Sequence, residues 1–300
     1  MITAVELGLI YAIMALGVYL TFRILDFPDL TVDGSFTTGA AVAATGIING
    51  VPPLLATLIA FAAGMAAGIV TGLLHTKGRI NGLLAGILTM IALYSINLRI
   101  MGKANLPLLR EDTLLSPLRE GGFMGSWLSI LMFAVLALVV KLVLDWFLHT
   151  DVGLAMQATG DNEEMIRSFG ASTDNQKILG LALSNGLVAV CGAFIAQYQG
   201  FADIGMGIGL ILAGLASVII GQAIFGTRLV VIATFAVVLG SVLYRVVIQL
   251  ALEAGLQPND MKLISAVLVV LALILPQWSG FRKLGARMGT AKPEKKGAVA

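Results

Sequence analysis

Cysteine, histidine and charge are all scarce in this 300-residue chain. Its single cysteine, Cys191, sits inside an apolar run, which excludes an intrachain disulfide framework and a multi-thiolate metal site. The two histidines, His75 and His149, fall at the ends of apolar runs, and no His-Glu-x-x-His sequence offers a zinc site. Methionines such as Met90, Met101, Met206 and Met261 are scattered and read as packing filler. No Gly-rich loop leads into Gly-Lys-Ser/Thr: Gly102-Lys103 is followed by Ala104, which lacks the hydroxyl that a magnesium–nucleotide site needs. The chain is therefore not expected to be an enzyme or to hold a cofactor. No basic, aromatic-bearing surface points to nucleic acid. Charged residues make up 12% of the chain, about half the share usual in a soluble domain.

What fills the space is apolar: 58% of the residues are hydrophobic and the mean hydropathy is +0.95. One soluble core cannot hide that much apolar surface, so the bilayer must be the solvent. Runs long enough, or nearly so, for a hydrocarbon core that needs roughly 20 helical residues cover residues 3–22, 54–74, 83–98, 127–148, 178–198, 229–250 and 263–276. Two shorter or Gly-interrupted runs cover residues 37–48 and 208–225. The expected fold is all-α and polytopic, with about nine transmembrane helices and a range of roughly eight to ten. No basic leader precedes the first run, Arg23 being the first positive charge, so a cleaved signal peptide is not expected.

An outside N-terminus puts twelve Lys and Arg residues on the inner side: Arg23, Lys77, Arg79, Arg167, Lys177, Arg228 and six from Arg282 to Lys296. Five lie outside (Arg99, Lys103, Arg110, Arg119 and Lys262), and Lys141 and Arg245 fall within runs. The excess of positive charge inside favours this orientation, with residues 151–177 and the C-terminus in the cytoplasm. One transmembrane domain is expected over residues 1–280, in halves 1–126 and 127–280. A flexible basic tail, 281–300, would lie against anionic lipid.

A rhythm of span, break and short span occurs twice, and the breaks are alike: Phe27-Pro28-Asp29-Leu30 and Phe201-Ala202-Asp203-Ile204. With nine crossings the two would follow spans of opposite direction, as in an inverted repeat with broken helices near the midplane. Chance likeness between two Gly-rich apolar runs is the alternative. Asp26, Asp29 and Asp33 crowd around the first break, and charges at membrane depth are costly unless they face protein or water. Phe27, Pro28, Asp29, Asp33, Gly34 and Ser35, with Asp203 and Arg245, are therefore candidates for lining a solute path. The alternative is a solvated loop in which Asp33 or Thr31 caps the next helix and Asp26 pairs with Arg23. Arg245 is expected in an ion pair with Glu6, Asp203 or Asp33. Lys141 is expected to snorkel and to pair with Asp145 four residues on. Gly64, Gly68 and Gly72, Gly82 with Gly86, and Gly205 with Gly209 recur at the spacing of close helix contacts.

The long polar island of the second half, residues 151–177, reads DVGLAMQATGDNEEMIRSFGASTDNQK. Asp161 and Glu164 have the spacing of a capping box, Arg167 suits the far end of a short helix, and Gly170 can end it in the left-handed conformation. Gly153 and Gly160 are expected in turns before it. A helix of roughly two turns is unstable alone, so it must rest on something else.

This island resembles the cytoplasmic coupling loop of ABC-importer permeases of the branched-chain amino acid and ribose type. The likeness rests on Gly153, Ala158, Gly160, Asp161, Asn162, Arg167, Gly170 and Ala171, and Glu164 joins them through its capping role. It continues into the following span, residues 181–194, while residues 8–44 resemble the family's first span and broken second span. Many members carry an Asn-Phe-Ala-His-Gly type sequence where this chain has Asp26-Phe27-Pro28-Asp29 and Asp33-Gly34. The resemblance implies an inner-membrane permease subunit of a bacterial importer, moving a small polar solute, an amino acid first, by alternating access. It implies a separate cytoplasmic ATPase, an extracytoplasmic binding protein and a second permease chain, a homodimer being preferred. The other class of function is a self-contained secondary transporter or channel using intramembrane carboxylates, which has no use for a capped cytoplasmic helix.

Overall fold

In a computed structural model, residues 1–227, 229–255 and 261–274 are described. The expected tail, 281–300, and Arg228 lie outside them. The chain is almost wholly helical: α1 (Ile2–Tyr19, running on as a π-helical turn Leu20–Ile24), α2 (Thr31–Ile48), α3 (Pro53–Thr76), α4 (Gly82–Met101), β1 (Asn105–Pro107), α5 (Ser116–Glu120), α6 (Trp127–Leu148), α7 (Asp151–Asp161), α8 (Glu163–Ser168), α9 (Thr173–Gln199), β2 (Phe201–Asp203), α10 (Leu210–Phe225), α11 (Val230–Glu253) and α12 (Met261–Ile274). Six described helices, α1, α3, α4, α6, α9 and α11, are long and apolar enough to cross a membrane, and α10 is a shorter apolar helix. The count of nine crossings stays an expectation.

Local chemistry sets the helix ends. Pro53 opens α3 at a position where its missing N–H costs nothing, Asn81 caps α4 through Leu83 N at 3.0 Å, and Gly102 and Gly200 stop α4 and α9 with φ of +69° and +79°. α1 and α9 are the most buried spans, whereas α4 and α6 turn most of their length outward. Those outward faces carry large apolar side chains such as Leu84, Leu88, Leu131 and Val143, as lipid-facing helices must.

The α3 glycines lie where the spacing put them, against α9: a Cβ at Gly64 would strike the Asn185 carbonyl, at Gly68 the Leu181 carbonyl, and at Gly72 the Cα of Ile178. Gly82 and Gly86 likewise seat α4 on the Phe27 ring and the Leu30 backbone. Gly205 and Gly209 do not form a helix face. They lie in the irregular approach to α10, where Gly209 adopts φ +86°.

Two short helices, α2 and α10, begin beside each other and run in opposite directions. The end of α1, the α3–α4 turn and α7 are gathered at one end of the molecule by contacts of Ile24 with Gly160 and of Phe27 with Gly82 and His75. α2 leaves that region and finishes near the end of α4, Thr45 donating to the Ile100 carbonyl. α10 instead runs back, antiparallel to α11, with Gly221 against Ala236 and Ser217 against Gly240. At the opposite end β1 and β2 form an antiparallel pair, Leu106 opposite Ala202. The two Phe-x-Asp breaks differ structurally: the first is irregular backbone with Phe27 and Asp29 buried, the second is the strand β2.

Candidate functional site

The island at residues 151–177 folds as two helices and the start of a third. Gly153 and Gly160 lie inside α7, not in turns. Each is a point of contact, since a Cβ would collide with the Phe147 carbonyl at Gly153 and with the Ile24 carbonyl at Gly160. Thr150 caps α7, accepting from Gly153 N. Ala158 hands the chain on, its carbonyl accepting from Asn162 N at 3.0 Å. The short helix starts one residue later than the expected capping box: Asp161 closes α7, and Asn162 caps α8 by accepting from Met165 N at 2.9 Å. An amide and a carboxylate serve this role about equally well, which is why spacing alone misplaced it. Glu164 is exposed on the first turn of α8, and Gly170 takes φ +85°, as expected.

Ion pairs fix α8 to the membrane helices. Glu163 accepts from Lys177 Nζ at 2.7 Å and from Arg167 Nη2 at 3.0 Å, with the Thr173 hydroxyl at 3.2 Å. Asp174 binds Lys77 at 2.9 Å and Arg167 at 3.6 Å, drawing in the α3–α4 turn. The Lys177 hydrogen bond is the main reason why the Glu163 carboxyl is held below its ordinary range. These groups, with His75 and Arg79, surround an open hollow of 540 Å³. Beyond it Met165 and Phe169 stand exposed, Phe169 at 79%. The result is a short helix braced on α9, and through Asp174 on the α3–α4 turn, that presents an apolar knob outward.

The broken segment is buried rather than solvated at Asp29. Its carboxylate accepts from Thr31 N at 2.9 Å and Asn185 Nδ2 at 2.7 Å, and Asn185 in turn accepts from the Ser35 hydroxyl at 2.6 Å. Asn185 lies twelve residues into the 27-residue α9, roughly 18 Å from its start at 1.5 Å per residue. The network is therefore near the middle of that span. Asp33 accepts from Gly209 N at 2.6 Å and Ile211 N at 2.8 Å. Gly34 packs on Leu93 and Met90 of α4, and its carbonyl accepts from Asn97 Nδ2 at 3.3 Å. Pro28 is exposed and lines, with Phe27, Asn162 and Lys177, a 320 Å³ cleft that joins the break to the α7–α8 platform. Asp26 is exposed with φ +49° and forms no ion pair with Arg23.

The remaining charges are placed differently from expectation. Arg245 has no carboxylate partner among the described residues; its guanidinium lies 3.7 Å above the Tyr11 ring, a cation–π contact. Glu6 accepts from Gly125 N, the Ser129 hydroxyl and the Tyr198 hydroxyl. Asp203 accepts from Asn105 Nδ2 and Gly205 N near the strand pair; it shares a 340 Å³ hollow with Tyr11, the ring under Arg245, but makes no ion pair with Arg245. Lys141 does pair with Asp145, but both are buried and Asp145 also accepts from Thr234, so the lysine does not snorkel. Asn185 and Glu163 were not singled out by the sequence, and Asp174 was read only as part of the turn and cap before the next span. Only their polarity within or beside an apolar run could have marked them.

The architecture is that of a multi-pass all-α membrane protein, and comparison with known proteins assigns it. A family model, branched-chain amino acid transport system / permease component, matches residues 1–274, and the chain belongs to that family. A tyrosine transport system permease protein of Clostridioides difficile (strain R20291) is 44% identical over 269 residues, covering 90% of this chain and 88% of that protein. An uncharacterized protein of Rickettsia prowazekii (strain Madrid E) is 37% identical over 278 residues, covering 91% and 96%. Among solved structures, PsaBC from Streptococcus pneumoniae in complex with Fab aligns with a TM-score of 0.53 at 14% identity, covering 95% of this chain and 94% of that one. A metal-chelate type ABC transporter in an inward-facing conformation aligns at 0.50 with 16% identity, covering 92% and 83%. Both likenesses concern the fold.

Proposed function

We propose that this chain is the non-catalytic permease subunit of an ATP-driven importer, passing an amino acid inward by alternating access. The observation that carries the proposal is the α7–α8 platform: a capped helix, ion-paired to α9, whose Asp174 in turn pairs with Lys77 at the α3–α4 turn, offers Phe169 and Met165 to a partner. A separate cytoplasmic ATPase docking there would push on α8, and the ion pairs would pass the motion to α9 and α3. An extracytoplasmic binding protein delivers the solute, and two copies of the chain enclose the path. The N-terminus lies outside and the C-terminus in the cytoplasm. The tyrosine transport name of the Clostridioides difficile relative makes an aromatic amino acid the first solute to test.

A self-contained secondary carrier would need carboxylates free to bind an ion. Asp29 and Asp33 instead hold Asn185 and the start of α10, so nothing favours that class. The test is reconstitution of the chain with its ATPase and binding protein in proteoliposomes, followed by uptake of labelled L-tyrosine. Uptake that requires both partners and ATP supports the proposal, and uptake by the chain alone, driven by an ion gradient, refutes it.

A further inference from the structure

The cleft between α2, α4 and the approach to α10 has a volume of 430 Å³, within the range of small-molecule sites, about 300–1,000 Å³. One wall is apolar, formed by Met90, Ile91, Ile204 and Ile208. Its floor holds Asn97, fully buried, whose Nδ2 donates to the Gly34 carbonyl while Oδ1 has no partner. Exchanging the oxygen and nitrogen of that amide would set its oxygen against the Gly34 carbonyl, two acceptors face to face, so the orphan is the acceptor Oδ1. An unpartnered buried amide atom is costly, so a group that completes it stabilises the site.

The rim carries a second signal. Tyr94 and Ser95 are exposed on α4, twelve and thirteen residues after Gly82 and hence roughly 18–20 Å along the helix. Polar side chains do not face lipid at that depth without reason. The neighbouring cleft of 550 Å³ between α2, α3 and α4 shows the contrast: its polar residues are Thr38 and Thr89, which turn to the carbonyls of Gly34 and Ala85 on their own helices, as befits a lipid-filled groove.

We infer that the Asn97 cleft is a passage subsite for an amino acid with an aromatic or branched side chain. The apolar wall receives the side chain, Asn97 Oδ1 gains its missing hydrogen bond from the amino group, and the hydroxyls of Tyr94 and Ser95 serve the carboxylate. Asp33 shapes the cleft end by holding α10 in place. This assignment rests on the permease function proposed above and names where in the membrane the solute pauses.

The test uses the complete transporter, permease with ATPase and binding protein, in proteoliposomes. Ser95→Cys in a Cys191→Ser background is expected to react with a water-soluble maleimide; no reaction would mean a lipid-covered or sealed face and would overturn the inference. Asn97→Leu is expected to lower uptake of labelled L-tyrosine and L-leucine about tenfold at saturating binding protein. Ser95→Trp, on the exposed rim where folding is not at stake, is expected to block the same uptake. Wild-type uptake by the Trp variant would overturn the subsite even if the Leu variant failed to fold. Failure of the permease function itself would look different, with neither uptake nor stimulated hydrolysis in the wild-type complex.

Discussion

The carboxylate of Asp33 takes the backbone N–H of Gly209 at 2.6 Å, and its other oxygen takes that of Ile211 at 2.8 Å. The first turn of α2 thus supplies the cap that α10 lacks, because its own N-cap residue is a glycine with no side chain. Replacing a capping side chain by alanine costs about 1–2 kcal/mol. Asp33→Ala is expected to lower the Tm of the detergent-purified protein accordingly, and Asp33→Asn, which keeps one acceptor, to lower it less. Equal Tm for wild type and the Ala variant would remove the capping role.

The Asp29–Asn185–Ser35 network makes a second prediction. Asn185→Leu strips a donor from a buried carboxylate and an acceptor from a buried hydroxyl, and is expected to cost about 3 kcal/mol. The double variant Asp29→Leu, Asn185→Leu should be more stable than Asn185→Leu alone, because it no longer buries an unpaired charge. Additive losses in a thermal unfolding cycle would contradict this coupling.

At the platform, Gly160→Val forces α7 away from the Ile24 carbonyl and should leave membrane insertion intact while abolishing solute-stimulated ATP hydrolysis by the complex. Gly170→Ala, where the backbone alone is strained, should cost only about 1 kcal/mol. Stimulated hydrolysis at the wild-type rate in the Gly160 variant would show that α7 contact is not part of coupling.

The salt-bridged Glu163 sets a pH window. Its carboxyl titrates below the ordinary glutamate value because Lys177, Thr173 and Arg167 favour the ionised form. A depressed pKa means stability that is present above the unfolded value, about 4.3, and is lost as pH falls through the folded one. A spin label at Phe169→Cys, with Cys191→Ser, is expected to stay ordered from neutral pH through the ordinary glutamate range and to loosen only as the pH falls below it. Glu163→Gln should remove that dependence, and an unchanged acid transition in this variant would assign it elsewhere.

Much of the molecule was legible in the residues. Apolar runs located the spans, and the Gly64, Gly68 and Gly72 ladder marked the α3 face that meets α9. Gly170 announced the end of α8 because only a residue at ease with positive φ can stop it there. The partners of the charges were not legible. Asp33 reaches residues about 176 positions away, and Arg245 settles on an aromatic ring, because which helices adjoin is decided by packing that no local pattern encodes. The depth of Asp29 was hidden likewise, its Asn185 partner being one amide in an otherwise apolar span.

The strand pair of β1 and β2 is three residues long on each side, yet it ties the chain just after α4 to the chain just before α10. The Asn97 cleft lies beside this pair, lined by Met90 to Asn97 of α4 and by Ile204 and Ile208 just after β2. Leu106 and Ala202 therefore act as a clasp: the end of α4 and the approach to α10 are joined to each other by backbone pairing as well as to α2 through Asn97 and Asp33, so the Asn97 cleft is fixed on three sides.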